Sequence, residues 1–120
     1  VVFSIARDAC AIVVVTVHGP LTVDNRPVLC RAVDDELRLH AARVVVDFGD
    51  GELGPVDVST ALRIERMCRG RATACALVTG DRDRLRQALA DNAADGYGPV
   101  IATNLAAALA PARAAGLPPT

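Results

Sequence analysis

The stretch RVVVDFGDGELGPVDVSTALRIERMCRG, residues 43–70, holds a strand, a loop and a helix in succession. Val44, Val45 and Val46 are three β-branched residues in an unbroken run, which predicts a strand buried on both faces at the centre of a sheet. Gly49, Gly51, Gly54 and Pro55 then break the chain. A helix is expected from about Asp57 to Cys68, with Gly70 as the residue just past its end. Asp57, Ser59 and Thr60 lie at its mouth, a carboxylate and two hydroxyls where the helix presents free N–H groups. Asp57 or Ser59 would serve there as a cap, worth about 1 kcal/mol. The same place would also accept a phosphate or a partner surface.

Working outward, the N-terminal side supplies two more strands. VVFSIAR alternates, and AIVVVTVHG is β-branched from Ile12 to Val17; the RDAC stretch between them predicts a hairpin. A helix follows, with Asp24 or Asn25 as its cap and Pro27 in its first turn. Its apolar stripe is Leu29, Ala32, Val33 and Leu37, and Asp34, Asp35, Glu36 and Arg38 take the outer face. On the C-terminal side, TACALVTG predicts a fourth strand. Asp81 would cap a helix striped by Leu85, Ala88 and Leu89, which DGYG ends. PVIAT predicts a last strand, and NLAAALAPARAAG a final helix capped by Asn104. The order is ββαβαβαβα: a single α/β domain over 1–115, with a frayed tail at 116–120 and a mixed, mostly parallel sheet of about five strands.

Composition narrows the function. The chain has 120 residues, 52% of them hydrophobic, which suits one domain with one core. The formal net charge is −1 and aromatics are 2%, so neither the positive field nor the stacking rings of a nucleic-acid binder are present. The longest apolar run, Ala9 to Val15, is far too short to span a membrane, and no secretory signal opens the chain, so a cytoplasmic location is expected. The chain opens on Val1 rather than Met, which leaves room for residues upstream.

Chemistry-bearing clusters are sparse. Cys10, Cys30, Cys68 and Cys75 form no C-x-x-C pair and lie in apolar segments, so four reduced core thiols are expected. A redox pair among them is the alternative, with spacing silent on which two would meet. His18 and His40 are not at zinc-ligand spacing from any cysteine. Asp47, Asp50, Glu52 and Asp57 lack a calcium-loop pattern and read as a solvated loop, so no metal and no cofactor are expected. DFGDG lacks every companion motif of a protein kinase. All 13 basic residues are Arg, so a P-loop lysine is absent too. Arg82-Asp83-Arg84-Leu85-Arg86 mixes its signs like a solvated helix start. No nucleophile has a supporting base, so the chain is not read as an enzyme.

The order of elements and their punctuation resembles the STAS domain, the fold of anti-sigma factor antagonists. The carrying segments are HGPLTVDN after the second strand, Asp47-Phe48 at the end of the third, VDVSTAL at the helix start, LVTGD after the fourth, and PVIATNLAAALA at the end. The family's Gly-x-Leu-Asp turn has Thr22 in place of its Asp, with Asp24 two residues on. Two alignments of the family's Asp-Ser-Ser-Gly segment stay open. One sets VDVST on it, with Asp57 on the motif's Asp, Val58 for the first hydroxyl, Ser59 on the second and Thr60 for Gly; it needs a longer loop after Asp47. The other, gapless, sets Pro55, Val56 and Asp57 on the Asp-Ser-Ser triplet, so that Asp57 is a fixed charge at a phosphorylation position.

The resemblance implies a binding protein that docks on an anti-sigma factor, itself a serine kinase, frees a sigma factor, and is switched off by phosphorylation at the loop–helix junction, with Ser59 the candidate. The implied partner surface comprises Thr22, Asp24, Asp50, Glu52, Asp57, Val58, Ser59 and Thr60. The altered motif also fits a STAS module that is never phosphorylated and serves in a signalling complex or a lipid-transporter assembly.

Overall fold

A computed structural model describes residues 2–92 and 99–109. A five-stranded sheet runs in sequence order from β1 (Phe3–Arg7) through β2 (Ile12–Val17), β3 (Arg43–Asp47) and β4 (Ala74–Val78) to β5 (Val100–Ala102). β1 and β2 form the expected antiparallel hairpin, and every later pairing is parallel. The helices α1 (Arg26–Arg38), α2 (Pro55–Gly70) and α3 (Arg82–Asn92) connect the parallel strands. Each crossover feeds the next strand on the same side, so a sequential strand order puts the three helices on one face.

That face holds the main core. Val13 and Val15 of β2, Val44 and Val46 of β3, and Cys75 and Leu77 of β4 meet Leu29, Val33 and Leu37 of α1, Ala61, Ile64 and Cys68 of α2, and Leu85 and Leu89 of α3. Val45 points the other way. With Ala76, Val78 and Ala102 it meets Ala108, and Leu105 and Leu109 pack alongside. The triple-valine run of β3 is therefore covered on both sides, at the centre of the sheet. Asn104 caps the turn that follows β5, its Oδ1 accepting from the Ala107 N–H at 2.8 Å. The DGYG segment, the part of the expected last helix from residue 110 on, and the tail 116–120 lie outside the described residues.

Three expectations need correction. The first concerns the cap of α1. Asn25 has helical backbone angles and makes no cap hydrogen bond to the helix. Thr22 does the capping: its Oγ1 accepts from the Asn25 N–H at 3.2 Å, and Asn25 Oδ1 accepts from the Thr22 N–H at 2.7 Å. This is the reciprocal pairing of a capping box, one turn upstream, with Arg26 N–H on the Thr22 carbonyl at 2.9 Å.

The second concerns α2, which starts at Pro55 rather than Asp57 and runs through Gly70. The left-handed residue beyond its end is Ala72, at φ 53. Thr73 N–H donates to the Cys68 carbonyl and Ala72 N–H to that of Arg69, the Schellman pattern with alanine where glycine is usual. The third concerns the thiols. Cys30, Cys68 and Cys75 are buried as expected, but Cys10 is exposed, in the β1–β2 turn.

Candidate functional site

The C-terminal ends of the parallel strands gather the loops β2–α1, β3–α2 and β4–α3, the place where α/β sheets usually bind ligands. Two of these loops are tied together. Phe48 N–H donates to the Val78 carbonyl at 2.8 Å and Gly80 N–H to that of Gly49 at 3.0 Å. Asp81 stands just before α3, as its sequence position suggests, but its Oδ2 accepts from the Leu53 N–H across the gap at 3.2 Å. Gly49 takes a φ of 80, and the Asp47 carboxylate accepts its N–H at 2.9 Å, turning the chain sharply out of β3.

The loop then enters α2 through Gly54-Pro55-Val56-Asp57. Gly54 is the N-cap residue, with Pro55 in the first turn. Asp57 Oδ2 reaches back to accept the Gly54 N–H at 2.8 Å. A carboxylate at the third helical position stabilises both that N–H and the positive end of the helix dipole. Ser59 lies in the second turn, not the first. Its hydroxyl donates to the Val56 carbonyl at 3.2 Å and accepts from Arg26 Nη1 at 3.0 Å, joining α2 to the start of α1.

The residues named from sequence separate into groups. Asp50 and Glu52 are exposed on the β3–α2 loop, and Asp57, Val58 and Ser59 are half-buried along the start of α2. Thr22 and Asp24 are exposed on the β2–α1 turn, next to Val23, an exposed apolar side chain. Thr60 is fully buried and donates its hydroxyl to the Val56 carbonyl at 2.6 Å, which takes it out of any docking face. The sequence reading missed Arg26, and it gave Gly80 and Asp81 no part in tying the β3–α2 and β4–α3 loops together. No local pattern marks Arg26, whose partner is 33 residues away. The Gly-Pro-x-Asp run at 54–57 does carry a readable helix-start signal, glycine at the cap, proline in the first turn and an acid at the third position.

Burial pushes the Cys30 thiol up from its ordinary value, while the guanidiniums of Arg63 and Arg26 pull against it. Cys75 is held well above its ordinary value, first by a hydrogen bond with Cys68 and then by burial. Cys68 and Cys75 are thus the two thiols that the fold brings together. Among the described residues no three His, Cys, Asp or Glu side chains converge as metal ligands, and no helix is long and apolar enough to cross a membrane.

The sheet order and the helices give the chain a STAS-like α/β fold. The crystal structure of TM1081, a candidate anti-sigma factor antagonist from Thermotoga maritima, superposes with a TM-score of 0.72 at 16% identity over 92% of this chain and 94% of that one. The NMR structure of TM1081 gives a TM-score of 0.66 at 16% identity, over 92% and 86%. No protein-family model matches the sequence, and no curated protein does.

Proposed function

We propose that this chain works by binding rather than by chemistry, as an anti-sigma factor antagonist that docks on an anti-sigma factor and so releases a sigma factor. The observation that carries this reading is the pair of tied loops β3–α2 and β4–α3. They hold the acidic edge Asp50, Glu52 and Asp57 at the strand ends of a fold shared with a candidate antagonist. The docking surface would be that edge with Val58, Ser59 and the Thr22–Asp24 turn. Its partner is an anti-sigma factor with a complementary positive surface, which steers association and fixes orientation.

Two forms of regulation follow from two different observations. The carboxylate of Asp57 stands at the loop–helix junction, in the first turn of α2. This favours a module with a permanent charge and no phosphorylation, the form that would also suit a signalling or transporter assembly. Ser59 favours the switched form: Arg26 already bonds its hydroxyl and Arg63 lies one turn along the same helix face, so a phosphate there would find two cations.

Affinity capture of the tagged chain from its source cells, with mass spectrometry of partners and of bait phosphosites, tests both. An anti-sigma factor in stoichiometric yield is expected, and its absence in favour of an enzyme complex or transporter subunits would overturn the antagonist reading. A phosphate on Ser59 would select the switched form, and an unmodified bait the constitutive one.

A further inference from the structure

Beside the strand-end loops, α1 and α2 leave a groove of about 480 Å³ lined by Arg26, Pro27, Cys30, Arg31, Arg63 and Met67. We propose that this groove is a second docking site, for a short acidic segment of a protein partner, with carboxylates on Arg26, Arg31 and Arg63 and an aliphatic side chain on the floor. The site does not rest on the antagonist reading.

Charge carries the argument. Arg7, Arg38, Arg69 and Arg86 each pair with a carboxylate. Among the described residues none of the three groove arginines does so. Arg26 bonds the neutral hydroxyl of Ser59, and Arg63 lies beside the buried Cys30 thiol, whose pKa it pulls down against the effect of burial. Asp34 is the one carboxylate that lines the groove, and Arg38 holds it at 2.9 Å. Three guanidiniums therefore share one cleft with a single carboxylate, which Arg38 already engages, in a chain whose formal net charge is −1.

Shape selects the occupant. Positions 26, 27, 30, 31 and 34 of α1 and positions 63 and 67 of α2 follow helical spacing, so each helix offers one continuous wall. The eight-residue span from Arg26 to Asp34 covers about 12 Å at 1.5 Å per residue, the length of roughly four extended residues. Pro27, Cys30 and Met67 give the wall an apolar strip that a bare phosphate would leave unused. A nucleic acid is disfavoured because its long backbone would run past Asp24, Asp50, Glu52 and Asp57 at the neighbouring end, and few rings are available to stack on its bases.

The test is an amide-shift titration of the isotope-labelled chain with the acetylated pentapeptide Glu-Glu-Leu-Glu-Glu, its all-Gln counterpart and inorganic phosphate. The acidic peptide should give saturable shifts at residues 26–34 and 63–67. Added salt should weaken them, and an Arg31→Gln/Arg63→Gln variant should bind about tenfold less tightly. Both positions are exposed, and thermal melts check that the variant folds; Arg31→Gln alone provides a second, milder variant. Absence of saturable shifts, shifts confined to the strand-end loops, or an unchanged affinity in both variants would overturn the proposal. Phosphate binding the same amides as tightly as the peptide would overturn it too, in favour of a small-oxyanion site.

Discussion

Gly80 and Asp50 meet backbone to backbone. A Cβ at position 80 would sit 2.8 Å from the Asp50 carbonyl oxygen and 3.2 Å from its Cα and carbonyl carbon. Nothing flexible is there to give way, so the β3–α2 loop can approach the β4–α3 loop only because residue 80 has no side chain. Gly49 is needed for another reason: it has open space around it but a φ of 80.

Gly80→Ala should therefore move the loop that carries Asp50 and Glu52, and destabilise the fold by about 1–3 kcal/mol. Denaturant unfolding reads the second effect and amide shifts at Asp50–Leu53 the first. A variant with an unchanged midpoint and unchanged loop shifts would show that the contact does not hold the loop.

Ala72 takes a left-handed conformation at the end of α2, and His40 takes the same at the end of α1, with φ values of 53 and 61. Both complete Schellman patterns, since Ala41 N–H donates to the Glu36 carbonyl as Thr73 does to that of Cys68. Ala72→Gly should relieve the side-chain strain by more than it loosens the unfolded chain, a gain of about 0.5–1 kcal/mol and a rise of several degrees in Tm. An unchanged or lower Tm would count against the strain.

These two turns mark where local sequence stops being informative. The strands were legible because their β-branched runs are dense, and Val44–Val46 announced a central strand without help from any other segment. The ends of α1 and α2 were not, since neither left-handed residue is a glycine. Gly70, the obvious stop, lies inside the helix. The site was half legible. Asp57 at a helix mouth could be read from its neighbours, whereas the burial of Thr60 and the Arg26–Ser59 bond depend on how α1 packs against α2, which no local pattern states.

The chain has no lysine and one tyrosine, so thiols dominate its titration at alkaline pH. The hydrogen bond with Cys68, and then burial, raise the Cys75 pKa in the folded state. The native chain then keeps a proton that the unfolded chain loses, so stability is full below the unfolded thiol value, about pH 8.5–9, and falls as pH rises toward the folded value. Cys30 adds in the same direction. The slope should reach about 1.4 kcal/mol per pH unit for each thiol involved. Urea midpoints between about pH 8 and 10.5 measure it, and Cys75→Ala should flatten the curve. A wild-type curve that is already flat would refute the assignment.

Asp57 and Ser59 make the last prediction, because the two forms of regulation give them opposite roles. Asp57→Ala removes the acceptor of the Gly54 N–H, at a cost of about 0.5–2 kcal/mol, and Asp57→Asn should recover part of it. Ser59→Ala loses one bond to Arg26, and Ser59→Glu brings a charge toward Arg26 and Arg63, so both variants should fold. Binding to the captured anti-sigma factor then separates the forms. If the junction charge is permanent, Asp57→Ala and Asp57→Asn bind at least about tenfold more weakly, the order expected when one partner of a desolvated charge pair is lost. Ser59→Ala and Ser59→Glu then bind like wild type. If Ser59 is the switch, Ser59→Ala binds normally and Ser59→Glu binds poorly, because a second acid beside Asp57 must be desolvated against the partner. Affinities for the four variants, with melting curves as the folding control, decide between them. Equal affinities throughout would remove the start of α2 from the docking surface and move the search to the Thr22–Asp24 turn.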